Sequence, residues 1–176
     1  MQLDDELEAM PEDIIEAVDQ VLRDAFERDF EAKLVKKLRA QDLLVAEHIL
    51  PVSEEDNEIL AYIGYTEVSV ENGGDIDILG LAPMAVTPNA QGSGVGLDFL
   101  KYSLDAMAEE GVEAVVLLGH KDFYSKAGFR LATDFSLKFS DDPAHEEAFM
   151  AIELREGALS DCSGIITYAS DFYENN

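Results

Sequence analysis

Three glycines crowd five positions, Gly92, Gly94 and Gly96, inside the stretch TPNAQGSGVGLDFLKYSLDAM that runs from Thr87 to Met107. Each costs roughly 0.5–1 kcal/mol relative to alanine in regular structure. The backbone there must adopt a conformation, or an approach to a neighbour, that side chains would block.

The flanks limit what that segment can be. Before it, IDILGLAPMAV (Ile76–Val86) reads as a strand, with Pro83 marking a bulge or an edge because proline cannot donate to a ladder. After it, Leu97, Leu100, Leu104 and Met107 keep helical spacing, and Gly111 is placed to cap the helix. VEAVVLLG (Val112–Gly119) follows as a nearly uninterrupted apolar strand of the kind buried on both faces. Strand, helix, strand makes a βαβ crossover with parallel strands. Upstream lie two amphipathic helices, Pro11–Phe26 and Phe30–Ala40, then a hairpin of DLLVAEHILPV and EILAYIGYTEVSV joined by the polar turn SEEDN. Downstream, a short helix DFYSKAG precedes strands within FRLATDFSLKF, EAFMAIEL and SGIITYASDF. The whole predicts one domain over residues 1–176, a mixed α/β sheet with helices on its faces.

A strand that ends in a glycine-rich turn and feeds a helix N-terminus is a general anion site, since free N–H groups and the helix dipole both point at the ligand. A tight turn with no ligand remains the alternative from this stretch alone. A phosphate loop of the Gly-Lys-Ser/Thr type is excluded, because Val95 and Gly96 follow Gly94. A dinucleotide fingerprint needs G-x-G-x-x-G, whereas the spacing here is G-x-G-x-G. A third pattern, Gln/Arg-x-x-Gly-x-Gly/Ala, is met by Gln91-Gly92-Ser93-Gly94-Val95-Gly96.

Charge narrows the partners. The chain carries 38 acids against 12 bases, a net −26, spread along its whole length. That distribution favours a surface adapted to molar salt, where screening shortens to about 3 Å, over a dedicated face for a basic partner. No basic stripe exists to meet nucleic acid. No apolar run reaches membrane-span length, and the acidic N-terminus lacks the features of a leader, so a cytoplasmic location is expected. The single Cys162 rules out an internal disulfide, and His48, His120 and His145 lack metal-ligand spacing, so no metal is expected.

Four stretches together resemble the GNAT superfamily of acyl-CoA-dependent N-acetyltransferases, and within it the YhbS-like branch. They are LGLAPMAVTPNAQGSGVG, VVLLGHKDFYSKAGF, FMAIEL and the terminal GIITY…F, spanning roughly residues 42–173. The resemblance implies a central mixed, mostly antiparallel sheet of about six to seven strands, with the fourth and fifth splayed apart to admit the cofactor. It implies acetyl-CoA as co-substrate, main-chain groups of Met84, Ala85 and Val86 against its pantetheine arm, and the loop Gln91, Gly92, Ser93, Gly94, Val95 and Gly96 around its pyrophosphate. Tyr124 matches the family tyrosine that returns a proton to the departing thiolate, a task within reach of a phenol at neutral pH. Many relatives place an acidic base on the fourth strand. Gly80 stands at that position here, which leaves Asp77 as the nearest acid and the candidate base.

Other residues read as structural. Phe123 and Phe129 are expected to pack in the core beside Tyr124. His120 reads as an exposed loop histidine at the mouth of the cleft, Cys162 as a small buried residue, and Lys126 and Arg130 as surface cations near the cleft. The acceptor would be a small-molecule or peptide amine, and relatives often pair through late strands, which points to a homodimer. The family's chains commonly open with an Arg-bearing strand, where residues 1–10 here read as acidic coil. The rival reading is a non-catalytic acyl-CoA-binding sensor or interaction module on the same fold.

Overall fold

The computed structural model describes residues 10–55 and 57–174, so the reading of the first nine residues as coil lies outside the described residues. Helix α1 spans Glu12–Phe26, with Pro11 just ahead of it and Glu12 and Asp13 in the first turn, and it buries Val18, Val21 and Leu22. Helix α2, Phe30–Ala40, buries Ala32, Leu34, Val35 and Leu38. The predicted hairpin follows as strands β1, Leu44–Pro51, and β2, Ile59–Glu67, antiparallel with Glu47 opposite Gly64. Arg39 of α2 pairs with Glu47, which also accepts the Tyr62 hydroxyl at 2.8 Å, tying the helix to the hairpin.

The second hairpin strand is shorter than its apolar pattern suggests. The chain leaves the sheet at Val68, and Ser69–Asn72 becomes strand β3, paired with a different strand at the end of the chain. Val68 and Val70 pack there into a separate apolar cluster. Strand β4, Ile78–Val86, then runs antiparallel to β2, helix α3 covers Val95–Glu109, and strand β5 is Ala114–Leu118. Val112 N donates to Met107 O at 3.1 Å and Gly111 has φ +94°, so the glycine does cap α3 as its sequence implies. Helix α4, Lys121–Tyr124, precedes strands β6, Arg130–Leu131, β7, Leu137–Lys138, β8, Phe149–Glu153, and β9, Ser163–Thr167.

The main sheet has six strands in the order β1-β2-β4-β5-β8-β6, and β3-β9-β7 form a second, three-stranded sheet. Only β4 and β5 run parallel within the larger one. The helices divide between its faces. Phe99, Leu100, Leu104 and Met107 of α3 meet Ile63, Tyr65, Leu79, Leu81, Val115 and Leu117. Val18, Leu22, Leu34 and Leu38 of α1 and α2 meet Tyr62, Ala82 and Ala85 on the opposite side. The small sheet shares that second side, packing Leu137, Ile166 and Tyr168 against Ala114, Val116 and Ala151. Ala114 to Leu117 are fully buried, as a strand covered on both faces requires.

Two irregularities in β4 shape the functional end. Tyr65 faces Leu81 but Ile63 faces Met84, so β4 takes three steps where β2 takes two. The extra residue falls at Ala82–Pro83, the bulge that Pro83 signals. In addition, β4 and β5 pair only over Ile78–Ala114, Leu79–Val115 and Gly80–Val116. Beyond Gly80 the two strands have no ladder between them, and a V-shaped gap opens.

Candidate active site

The gap widens into a cleft of about 620 Å³. Its walls are Met84, Ala85 and Val86 of β4, the loop from Ala90 to Gly96, Leu97 of α3, and His120, Phe123, Tyr124 and Lys126 around α4. Ala25 and Phe26, at the end of α1, close it from the other face of the sheet. All of the loop and strand residues singled out from sequence, save Ser93 and Val95, line this one space. Those two sit within the loop, where Ser93 Oγ donates to Ala90 O at 2.6 Å and stands 3.4 Å from Val95 N.

The three glycines have two separate causes. Gly92 and Gly94 hold φ of +76° and +91°, left-handed values that side chains resist. Gly96 is conformationally ordinary, but a Cβ there would lie 3.0 Å from Val86 Cγ2 and 3.6 Å from Met84 Cε. It lets the first turn of α3 press against the end of β4. Among the described residues, the backbone N–H groups of Gly92, Ser93, Gly94 and Gly96 have no hydrogen-bond acceptor. They sit where the N-terminal dipole of α3, a 15-residue helix, is positive. Gln91 turns its side chain inward, Nε2 donating to Val86 O at 2.9 Å, which ties the loop to the strand. An elongated anion with a narrow stem fits this arrangement: its charge against the loop, its stem along the unpaired edge of β4.

Tyr124 stands at the opposite wall. Its ring packs edge-on against Phe123 at 5.0 Å and Phe129 at 5.7 Å, and a Cβ at Gly119 would fall 2.3 Å from its Cε2. Gly119, which sequence offers only as the end of a strand, is the space that seats this ring. The hydroxyl has no hydrogen-bond partner among the described residues, and burial, followed by the nearby Tyr65 phenol, pushes its pKa up to about 12. Tyr124 therefore keeps its proton at neutral pH and can only donate it. Phe129 is buried as expected, and Phe123, partly buried, packs against the same core while its exposed side lines the cleft.

The structure does not bring Asp77 to this place. It lies just before β4, exposed, its N–H donating to Glu113 Oε2 at 2.9 Å and its carbonyl accepting from Glu113 N at 2.8 Å. The strand from there to Met84 measures about 23 Å at about 3.3 Å per residue. The side-chain space at Gly80, the position where the family resemblance leads one to expect an acid, is filled by an aromatic ring: a Cβ there would sit 2.4 Å from Tyr168 Cε1. The Tyr168 hydroxyl donates to Val116 O at 3.1 Å, at the last rung shared by β4 and β5. Arg130 is drawn elsewhere, pairing with Asp134 at 3.2 Å and lying 4.9 Å over the Phe135 ring. Cys162 is buried, as expected. Among the described residues no three His, Cys, Asp or Glu side chains gather as a metal site, and no helix is long and apolar enough to cross a membrane.

Sequence reasoning missed one part of the site. Nothing in the pattern of α1 signals that Ala25 and Phe26 reach the cleft. His120 and Lys126, read from sequence as lying at the mouth of the cleft and near it, both line it.

Comparison with known proteins agrees with this geometry. Residues 6–132 match the acetyltransferase (GNAT) domain family. The N-acetyltransferase YhbS of Escherichia coli (strain K12) is 34% identical over 155 residues, 88% of this chain and 90% of that protein. The crystal structure of E. coli YhbS in complex with CoA superposes with a TM-score of 0.86 at 32% identity, covering 95% of this chain and 90% of the other. A GNAT family acetyltransferase from Brucella melitensis, solved with acetyl-CoA, shares the fold with a TM-score of 0.71 at 24% identity over 93% and 94% of the two chains. A glycine loop between splayed strands, on a chain that matches the family over most of its length, identifies this protein as a GNAT-family N-acetyltransferase.

Proposed function

We propose that the enzyme moves an acetyl group from acetyl-CoA to a primary amine by direct transfer, with Tyr124 as general acid. The observation that carries this reading is the convergence on one cleft of an anion-accepting loop, an unpaired strand edge and a proton-holding phenol. Gln91–Gly96 would hold the pyrophosphate through backbone N–H groups, and Met84–Val86 would meet the pantetheine amides along the open edge of β4. N–H groups on that edge would stabilise the carbonyl oxygen as negative charge develops there. Tyr124, across the gap, would return a proton to the sulfur. The solved complexes of E. coli YhbS with CoA and of the Brucella protein with acetyl-CoA support the choice of donor.

The same reading takes residues 1–176 as a single domain in a cytoplasm of high salt, acting as a monomer or as a pair of copies. Calorimetric titration of acetyl-CoA in molar KCl tests it, beside a Gly94→Glu variant whose carboxylate would enter the pyrophosphate position. Saturable one-site binding to the parent and none to the variant is the expected result. Absence of binding to the folded parent would overturn it.

A further inference from the structure

In a chain with 38 acidic residues, none of the described residues that line the cleft carries a carboxylate. Among the residues lining it, the titratable side chains are His120, Tyr124 and Lys126. Acetyl transfer to an alkylamine nonetheless needs a proton acceptor, since such an amine is an ammonium ion at neutral pH and has no lone pair for attack. Gly80 cannot host that group while Tyr168 fills its side-chain position, and Asp77 stands at the far end of the strand. Tyr124 holds its proton too firmly to accept another group's, and Lys126, a cation at neutral pH, has no free lone pair. Imidazole is the side chain whose ordinary titration spans this range.

His120 is placed for the task. It occupies the N-cap of α4 without capping it: its side chain makes no cap hydrogen bond, and its ring has no partner among the described residues. Its carbonyl accepts from Tyr124 N at 3.2 Å, which fixes the turn between them, and both side chains line the one cleft. Among the described residues, the groups around it are few. Its own segment contributes Lys121, Asp122, Tyr124 and Lys126; α1 presents Ala25 and Phe26, and β4 and the glycine loop present no charge. Ala148, whose carbonyl bonds Gly119 N at 2.9 Å, is preceded by the exposed Glu146 and Glu147.

Building on the acetyl-CoA reading above, we propose that His120 is the proton acceptor for the amine, working as a base in the same cleft as the acid Tyr124. Neutral His120 takes one proton from the acceptor ammonium. The freed nitrogen lone pair forms the C–N bond at the thioester carbonyl, and the C–S bond breaks. Tyr124 gives its proton to the departing sulfur, making the CoA thiol. The nitrogen sheds its second proton as the amide forms, which restores Tyr124, and His120 releases the first to solvent. Net, one ammonium and one thioester become one amide, one thiol and one proton.

The test turns on acceptors that differ in whether they need a base. Ethanolamine and putrescine are protonated at neutral pH, whereas hydroxylamine is uncharged. With acetyl-CoA as donor and thiol release as readout, His120→Gln should slow transfer to the two alkylamines by about 100-fold, in line with general-base contributions. Transfer to hydroxylamine should change less than threefold, and acetyl-CoA affinity should be unchanged. Free imidazole should restore part of the activity of His120→Ala. Equal losses with both acceptor types, no loss with either, or acetyl-CoA binding without transfer to any of the three would overturn the inference while leaving the donor site intact. Failure to bind acetyl-CoA at all would instead strike the reading on which it rests.

Discussion

The two halves of β4 are built to opposite ends. From Ile78 to Gly80 the strand lies buried and laddered to β5, with Leu79 and Gly80 paired to β2 as well. From Leu81 to Val86 it keeps β2 but loses β5, and its free edge becomes the wall of the cleft. Each half carries a glycine or proline at its critical point, for different reasons. Gly80 makes room for Tyr168, whose hydroxyl bonds Val116 O where the ladder stops. Pro83 adds a residue and removes an N–H where the strand is open. Closure is thus secured by a side chain just past the last strand, and opening by the backbone itself.

Breaking the closed half should have the largest effect. Gly80→Asp must displace Tyr168 and bury a carboxylate, and should cost about 3–5 kcal/mol in urea denaturation. A variant of parental stability would show that Tyr168 is dispensable at the junction. In the open half the largest loss should be chemical rather than structural. Tyr124→Phe should reduce turnover of ethanolamine by about 100-fold or more, with acetyl-CoA affinity unchanged. Equal turnover would remove Tyr124 from proton transfer.

Gly94→Glu separates the loop from the strand. No atom lies within 4 Å of the Cβ it would add, so the variant should lose only about 1–2 kcal/mol of stability from its positive φ while losing acetyl-CoA binding. Tyr168→Phe keeps the ring and deletes one hydrogen bond to Val116 O, an expected loss near 1 kcal/mol by the same denaturation measurement. The smallest effect concerns the polar chain behind the junction. Tyr65, opposite Leu81, shares its hydroxyl with Ser103 Oγ at 2.7 Å, which meets His48 Nδ1 at 2.8 Å. Burial lowers the His48 pKa, so the unfolded chain binds its proton first as pH falls. Stability should be full above about pH 6.5 and decline below it, by at most about 1.4 kcal/mol per pH unit from this group. His48→Gln should flatten that decline in melts between pH 7 and pH 5.

Local chemistry made much of this legible. Helix α2 begins and ends where its apolar spacing and dipole charges place it, and the bulge follows from a proline inside an apolar strand. The glycine loop was readable because positive φ and close approach leave a mark in composition. What escaped was settled by tertiary partners. The break at Val68 interrupts a continuous apolar pattern, because the next residues answer to β9, about a hundred positions later. Gly80 gave no sign of Tyr168, nor Gly119 of the ring above it. Asp77 was attractive only as the nearest acid along the chain, and distance along a strand is not distance to a site.

The bulge at Ala82–Pro83 has one more result. Leu79 and Leu81 face α3, and so do Met84 and Val86, while Ala82 and Ala85 face α1 and α2. The strand changes phase in its middle, so odd positions lead to one layer before the bulge and even positions after it. Deleting one residue there would turn the rest of the strand over, sending Met84 toward α1 and Ala85 toward α3. The lining of the cleft is therefore a matter of reading frame as much as of side-chain choice, and one residue sets the frame.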